Sequence, residues 1–442
     1  MSSNTVNTEY SSPPQQLGVE KAASGSGSLW RWIPSLYFSQ GIPYVIVMTM
    51  SVIMYKKMGV SNADIALYTS WLYLPFVIKP LWSPFVDMFK TKRLWVIGLE
   101  LLIGGLFALV ALTIPMPNYF QLTLAGFWLL AFGAATHDIS SDGFYMLALQ
   151  QHEQAAYVGI RSMFFRMSMI TGQGALVYLA GSLTDMTGKP AFAWSVVFFV
   201  LAAMFISLSL YHKLVLPRPA ADRPMRESGH IVKSFFSVFA KFLQKKNVLL
   251  TLAFLLLYRF GESQLVKMAP PFLLDSVDKG GLGLSTQAVG VVYGTIGMLA
   301  LTVGGLASGY LVSRHGLKRW LWPMALSINV PHLAYVYLAF VQPQNMFVVA
   351  AAVAIEQLGY GFGFTAFIMY MIMVADGEHK TAHYAICTGF MALGMMLPGM
   401  FSGWIQAQLG YAHFFVWICI AAIPSLGITA LIRIDPGFGR KK

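Results

Sequence analysis

Long apolar runs, separated by short polar stretches, recur along the whole chain of 442 residues. A helix that crosses the hydrocarbon core of a membrane needs about 20 mostly apolar residues. Twelve runs meet this requirement, at residues 31–54, 65–86, 94–115, 119–148, 156–181, 191–212, 248–274, 286–312, 320–341, 345–374, 382–408 and 411–433. The pattern therefore predicts an all-α polytopic membrane protein.

The composition excludes a water-soluble domain. Hydrophobic residues make up 57% of the chain and charged residues 11%, against roughly 45–50% and 25% in soluble proteins. The two cysteines, Cys387 and Cys419, lie in apolar runs and predict neither a disulfide nor a zinc site. Residues 1–30 are mostly polar and lack the apolar core of a signal peptide, so we expect a disordered cytoplasmic tail.

The net charge of +12 follows from membrane topology and does not indicate a nucleic-acid partner. Of the 30 Lys and Arg residues, 22 fall on one side of the predicted spans, and only four fall on the other. Those four are Lys56, Lys57, Lys189 and Lys279. Because cytoplasmic loops carry the excess of basic residues, both termini are predicted to be cytoplasmic.

The chain divides into two halves of six predicted helices, residues 31–212 and 248–433. Residues 213–247 form a Pro-containing cytoplasmic linker, and residues 434–442 form a tail. An internal repeat supports this division. Residues 83–93 align with residues 309–319, and Gly59-Val60-Ser61 aligns with Gly283-Leu284-Ser285.

A basic turn follows the second predicted helix of each half. It contains Asp87, Lys90, Lys92 and Arg93 in the first half and Arg314, Lys318 and Arg319 in the second. Ionic contacts of such turns can hold one state of a transporter closed, so we predict a gating role for these residues. The alternative is a positive-inside anchor alone. The turn resembles the loop motif of major facilitator transporters, with Ser313 in place of the acidic residue in the second copy.

Charged side chains inside the predicted spans indicate a functional cavity, because a charge at mid-bilayer costs roughly 2.5–3.5 kcal/mol on insertion scales. Asp138 and Asp142 share one helical face and are predicted to couple transport to protons, with Glu262 next in line. Arg166 is expected to compete for their deprotonated form, and Glu100 to reach the membrane interface. The predicted substrate-binding residues are Lys79, His137, Tyr145, Arg166, Arg259, Glu262, Glu356, Gln357 and Tyr360.

These residues resemble the motifs of the AmpG muropeptide permease family, which lies near the acetyl-coenzyme A transporters. The resemblance rests on residues 74–87, Asp138-Ile139-Ser140-Ser141-Asp142, Arg166, Arg259-Phe260-Gly261-Glu262 and Glu356-Gln357-Leu358. His137 stands where the family usually has Gln and Glu262 where it has Asp, and the fourth-helix block continues Gly143-Phe144-Tyr145-Met146 without the family's basic residue.

This resemblance implies a major facilitator fold with twelve transmembrane helices in two six-helix halves. It also implies a proton-driven permease that imports anhydro-muropeptides, or related amino-sugar oligosaccharides, across the bacterial inner membrane. We expect a monomer in membrane lipid that uses the proton gradient and needs no cofactor or metal.

Two other functions stay open from the sequence. The first is transport of another cargo, such as a coenzyme A ester. The second is membrane acyl transfer, because His137 and Asp142 form an H-x4-D pattern in which a general base is oriented by an acid.

The distribution of basic residues gives a direct test of orientation. We predict that a cysteine reporter near Lys279 reacts with a membrane-impermeant maleimide applied from the periplasmic side. Labelling only from the cytoplasm would reverse the predicted orientation.

Overall fold

A computed structural model of the protein describes residues 29–224, 237, 239–375 and 380–440, which form helices joined by turns. In the N-terminal half, the helices are α1 (Ile33–Lys57), α2a (Asn62–Trp71), α2b (Leu74–Met88), α3 (Lys92–Thr113), α4 (Tyr119–Ala148), α5a (Gln151–Ile170), α5b (Leu176–Thr187) and α6 (Pro190–Val215). A π-helical turn at Thr171–Ala175 joins α5a to α5b.

The C-terminal half contains α7 (Val248–Leu274), α8 (Thr286–His315), α9 (Leu317–Val341) and α10 (Met346–Val374). The stretch Lys380–Ala421 bends at Gly410, where φ is 69°. We call residues 380–409 α11, and residues 411–421 together with Ile423–Leu431 α12. Helix α7 is broken at Tyr258 and Arg259, and helix α9 at Val330 and Pro331.

The all-α prediction is confirmed. Nine helical stretches of the described residues are long and apolar enough to cross a membrane. The predicted spans 65–86 and 156–181 fall in the broken helices α2 and α5 and are not among the nine, while α11 and α12 form one of them. The number of twelve crossings stays a prediction.

Each half is a bundle, and several pairs of helices join the halves. Helix α3 packs against α4 and α6 in the first half, and α10 packs against α8 and α9 in the second. Between the halves, α2 contacts α11, α5 contacts α8, and α1 contacts α7. The α5–α8 approach requires glycine, because a Cβ atom on Gly294 would lie 2.0 Å from the carbonyl oxygen of Gln173.

The shorter segment of the predicted repeat, residues 59–61 and 283–285, has a similar local backbone in both copies. Gly59 and Gly283 both have positive φ, of 86° and 64°, a conformation that glycine adopts without steric cost. The following serines, Ser61 and Ser285, each accept a hydrogen bond from the backbone N–H three residues on and so cap the next helix.

The turns group on two faces of the molecule. On one face, which we call the basic face, the Arg93 guanidinium donates to the carbonyl oxygens of Lys213 and Leu216, and the Leu317 N–H donates to the Phe438 carbonyl oxygen. The predicted external turns lie on the other face, which we call the opposite face. The grouping follows the predicted loops; which compartment each face meets stays a prediction.

A polar cluster joins the two halves at the opposite face, and we call it the lock. Lys56 Nζ lies 2.6 Å from Asp275 Oδ2, which also accepts a 2.6 Å hydrogen bond from Tyr411 Oη. Asn62 Nδ2 donates to Tyr411 Oη at 2.7 Å and to Gln406 Oε1 at 2.8 Å. The lock therefore holds α1 and α2a of one half against α7, α11 and α12 of the other.

Removing the Asp275 charge should loosen this closure. Asp275 is 8% exposed and contacts both Lys56 and Tyr411. Asp275→Asn should therefore destabilise the closed state relative to the open state by about 1.5–3 kcal/mol, which shifts the equilibrium roughly 10- to 100-fold toward the open state. Spin labels at positions 189 and 279, with Cys387 and Cys419 replaced, would report a longer distance across the opposite face.

The matched control for this experiment is Asp278→Asn. Asp278 is an exposed carboxylate of the same loop whose hydrogen bond goes to nearby Ser276. If Asp275→Asn and Asp278→Asn give the same distance distribution, the lock does not hold this face closed.

Candidate functional site

The predicted acid pair on α4 is held by two separate cations. Lys79 Nζ of α2b lies 2.6 Å from Asp138 Oδ2, and Gln40 of α1 donates to the other oxygen of the same carboxylate. Arg161 Nη2 lies 3.0 Å from Asp142 Oδ1. Both aspartates share one helical face, as their spacing predicts, but each carboxylate is neutralised by its own cation.

Arg161 occupies the position that the sequence analysis assigned to Arg166, which corrects that prediction. Its guanidinium carbon lies 4.5 Å from the ring centre of Tyr37 and 5.4 Å from that of Tyr145. The Tyr37 hydroxyl donates to Asp142 Oδ1 at 3.2 Å. Arg161 was not among the predicted site residues because it lies near one end of the predicted fifth span and was counted among the 22 basic residues of that side.

Arg166 crosses to the other half of the protein. Its Nη1 lies 3.5 Å from Thr302 Oγ1 on α8. Five residues separate it from Arg161, which turns the two side chains roughly 140° apart on the helix. Arg166 therefore serves the interface between α5 and α8 and does not reach the aspartates.

The charged residues of α2b, α4 and α5a are partly exposed, and we infer that they line a cavity between the halves that opens to the basic face. Their side chains keep 23–36% exposure, although helices surround them. The lock closes the halves at the opposite face, so the route to solvent is through the basic face.

Across the cavity, Arg259 forms an aromatic and cationic surface of the C-terminal half. Its guanidinium carbon lies 4.9 Å from the Tyr360 ring centre and 4.8 Å from that of Phe364, and it donates to the Tyr360 hydroxyl. Tyr44 of α1 is within electrostatic range of both Arg259 and Asp138. The structure thus brings predicted binding residues of both halves toward one space.

Arg259 and Glu262, three residues apart on α7, have different partners. Glu262 Oε2 lies 3.1 Å from His332 Nε2, and both side chains are at most 1% exposed. On α10, Gln357 Nε2 donates to Glu356 Oε2 at 2.9 Å, and both residues are buried. These acids lie behind the cavity wall, inside the C-terminal half.

His137 points away from the cavity, contrary to its predicted role in substrate binding. It is fully buried and its Nε2 lies 3.5 Å from Glu100 Oε1, while His212 Nδ1 of α6 lies 2.8 Å from the same oxygen. Residues one position apart on a helix point about 100° apart, so His137 faces the bundle when Asp138 faces the cavity. Glu100 is likewise buried and does not reach the interface.

This geometry also argues against the hypothesis of acyl transfer by His137 and Asp142. His137 and Asp142 are five residues apart, so they lie on different sides of α4. Asp142 pairs with Arg161, and His137 contacts Glu100. The base and its orienting acid do not meet.

The basic turn of the first half contacts the linker. The N–H groups of Lys92 and Arg93 donate to the carboxylate of Asp222, at 2.7 and 3.0 Å, so this carboxylate caps the start of α3. The Asp87 side chain lies outside the described residues. In the second half Arg314 Nη1 donates to Tyr310 Oη at 3.2 Å, and Lys90, Lys318 and Arg319 are exposed. The gating role stays a prediction.

Lys267 is a buried cation whose partner the sequence did not predict. Its Nζ donates to Thr69 Oγ1 of α2a at 2.9 Å and lies 5.6 Å from the Tyr73 ring centre. It joins α7 to α2 between the cavity and the lock. The only signal in the sequence was a lysine inside a predicted span.

The chain resembles known transporters in both sequence and structure. The model of the Major Facilitator Superfamily matches residues 35–375. The anhydromuropeptide permease of Escherichia coli (strain K12) is 25% identical over 406 residues, which cover 90% of this chain and 78% of that protein. The putative transporter AmpG 4 of Rickettsia conorii is 25% identical over 414 residues, which cover 89% and 94%.

Among solved structures, a bacterial homolog of the human lysosomal transporter Spinster, inward-facing and unoccupied, aligns with a TM-score of 0.65. It is 15% identical, and the alignment covers 92% of this chain and 95% of that one. The predicted resemblance to AmpG-type permeases is confirmed by the named relatives. The chain is a membrane transporter and not an enzyme, and it belongs to the Major Facilitator Superfamily.

Proposed function

We propose that the protein is a proton-coupled secondary transporter that imports anhydro-muropeptides, or related amino-sugar oligosaccharides, by alternating access. The observation that carries the proposal is a cavity between two halves, lined by charged and aromatic residues, sealed at the opposite face by the lock and reachable from the basic face. Such a site between two halves, exposed to one side at a time, is what alternating access requires.

The cavity wall suits a cargo that combines sugar rings with charged groups. The rings of Tyr360 and Phe364 provide apolar faces, and Arg259 between them provides hydrogen-bond donors. Guanidinium N–H groups form charge-assisted hydrogen bonds with carboxylates, which suits a cargo that carries peptide carboxyl groups. The relatives named as muropeptide permeases support the same class of cargo.

The direction of transport follows from the predicted orientation. If the basic face is cytoplasmic, the structure is the state that delivers cargo to the cytoplasm. Opening the lock would then admit cargo from the periplasm, with the proton gradient as the driving force. No residue contact in the cavity favours a coenzyme A ester over a muropeptide, so that cargo is tested as a competing outcome.

A binding comparison tests the cargo. The full-length protein in nanodiscs should bind a disaccharide anhydro-muropeptide with a tripeptide more tightly than chitobiose, and acetyl-coenzyme A should not compete. Tighter binding of acetyl-coenzyme A would replace the proposed cargo by a coenzyme A ester.

The variant Arg259→Gln tests the proposed binding surface. It should weaken muropeptide binding roughly tenfold or more, as expected for a lost charge-assisted hydrogen bond of about 1.5–3 kcal/mol. The control Arg440→Gln removes an exposed arginine near the C-terminus and should bind as the unmodified protein does. Equal affinities of the two variants would place the cargo elsewhere.

A further inference from the structure

Two buried carboxyl groups of the C-terminal half lie close enough to interact electrostatically. Glu262 stands on α7 and Glu356 on α10, and they are 1% and 2% exposed. His332, at the start of the second segment of α9, is fully buried beside Glu262. Three helices therefore contribute to one enclosed group of titratable side chains, which we call the C-half acid cluster.

The polar atoms of this cluster are only partly satisfied. Glu262 Oε2 is 3.1 Å from His332 Nε2, and Glu356 Oε2 accepts from Gln357. Within the described part of the chain, the second oxygen of each carboxyl group has no hydrogen-bond partner, and neither do His332 Nδ1 and the Tyr335 hydroxyl. Buried polar atoms usually have hydrogen-bond partners, so four unpartnered atoms in one group indicate a site that can take up a proton or a polar ligand.

The charges in this region do not balance with both carboxyl groups ionised. The nearby cation is Arg259, whose guanidinium lies against Tyr360 and Phe364. With His332 neutral, two carboxylates and one guanidinium leave a net negative charge among buried side chains. Such a charge is avoided when one carboxyl group takes up a proton.

The acids of the N-terminal half differ in this respect. Asp138 has Lys79 at 2.6 Å, and Asp142 has Arg161 at 3.0 Å. That group is neutral with both carboxyl groups ionised. It needs no proton in the state that the structure shows.

We propose that the transported proton is carried by Glu262 and Glu356, with His332 as their hydrogen-bonding partner, and not by Asp138 and Asp142. The proposal rests on the proton coupling proposed above and names its carrier. The proton is taken up with the cargo from the opposite face, held in the cluster while the lock is closed, and released to the basic face before the halves reorient.

The cluster lies beside breaks in two helices, so a conformational change that bends these helices can move its residues. Glu262 is the third residue after the α7 break at Arg259, and His332 directly follows Pro331 in the α9 break. A change in bend at either break alters the separation of Glu262 and His332. The other titratable groups that face the cluster are Arg259 of α7, Tyr293 of α8, Tyr335 of α9 and Tyr360 of α10.

Transport by the full-length protein in proteoliposomes tests this assignment with Glu262→Gln and Glu356→Gln. Each variant keeps the shape of the side chain and removes its titration. With labelled anhydro-muropeptide as the probe, we expect accumulation driven by a pH gradient to fall to the equilibrium level in at least one variant. Exchange of internal for external cargo, which moves no net proton, should stay within about threefold of the unmodified protein.

The contrasting variant is Asp138→Asn, which leaves Lys79 without its carboxylate partner and should slow exchange and accumulation together, with accumulation still above the equilibrium level. Accumulation retained in both glutamate variants would overturn the proposal, and so would loss of accumulation, with exchange intact, in Asp138→Asn alone. Absence of exchange by the unmodified protein would instead reject the proposed cargo.

A second measurement needs no cargo. The infrared carbonyl band of a protonated carboxyl group should be present in the unmodified protein at neutral pH and should weaken in Glu262→Gln or Glu356→Gln. The same band should persist in Asp138→Asn. A band that persists in both glutamate variants and is lost in Asp138→Asn would place the proton on the N-terminal half.

Discussion

The high cost of charge in an apolar interior is the constraint on which the rest of this structure depends. Several ionisable side chains of the described helices have a partner on another helix, and these partnerships bear on how the bundle is assembled. Asp138 pairs with Lys79, and Glu100 is held by His212. Breaking the fully buried Glu100–His212 pair would leave a buried charge unpaired, which is strongly destabilising. The pairs therefore fix the position of the helices around the cavity.

The two halves use this constraint differently. In the N-terminal half each cavity carboxylate meets a cation, which gives a neutral surface that can remain wet and ionised. In the C-terminal half the acids are enclosed beside His332, and the cation Arg259 is turned toward aromatic rings. The neutral cavity surface of the N-terminal half thus faces the C-half acid cluster, which lacks one positive charge. This arrangement can couple the binding of a proton to the movement of the halves.

The contacts at the opposite face determine which side of the molecule the charged cavity residues are exposed to. The lock, the glycine contacts of α5 with α8 and the Lys267 contact with Thr69 hold the halves together on that face and toward the centre. The charged cavity residues keep their exposure toward the basic face. The structure thus corresponds to one of the two states that a major facilitator transporter requires.

Periodicity and charge were sufficient to predict the helical architecture, the repeat and the shared face of Asp138 and Asp142, because these are properties of local sequence. The partners were not predictable in the same way. His212 lies 112 residues from Glu100, and no local pattern links them. Arg161 was missed because it lies near one end of the predicted fifth span and was counted with the basic residues of the loops. His137 was misplaced because one helical step separates the cavity from the bundle interior.

Proton movement on addition of cargo tests the central claim most directly. Proteoliposomes with no imposed gradient and a pH indicator outside should be exposed to anhydro-muropeptide at low buffer strength. The account predicts that the external medium becomes more alkaline as cargo enters, and that an uncoupler abolishes the change. Cargo entry without any change in external pH would contradict proton coupling.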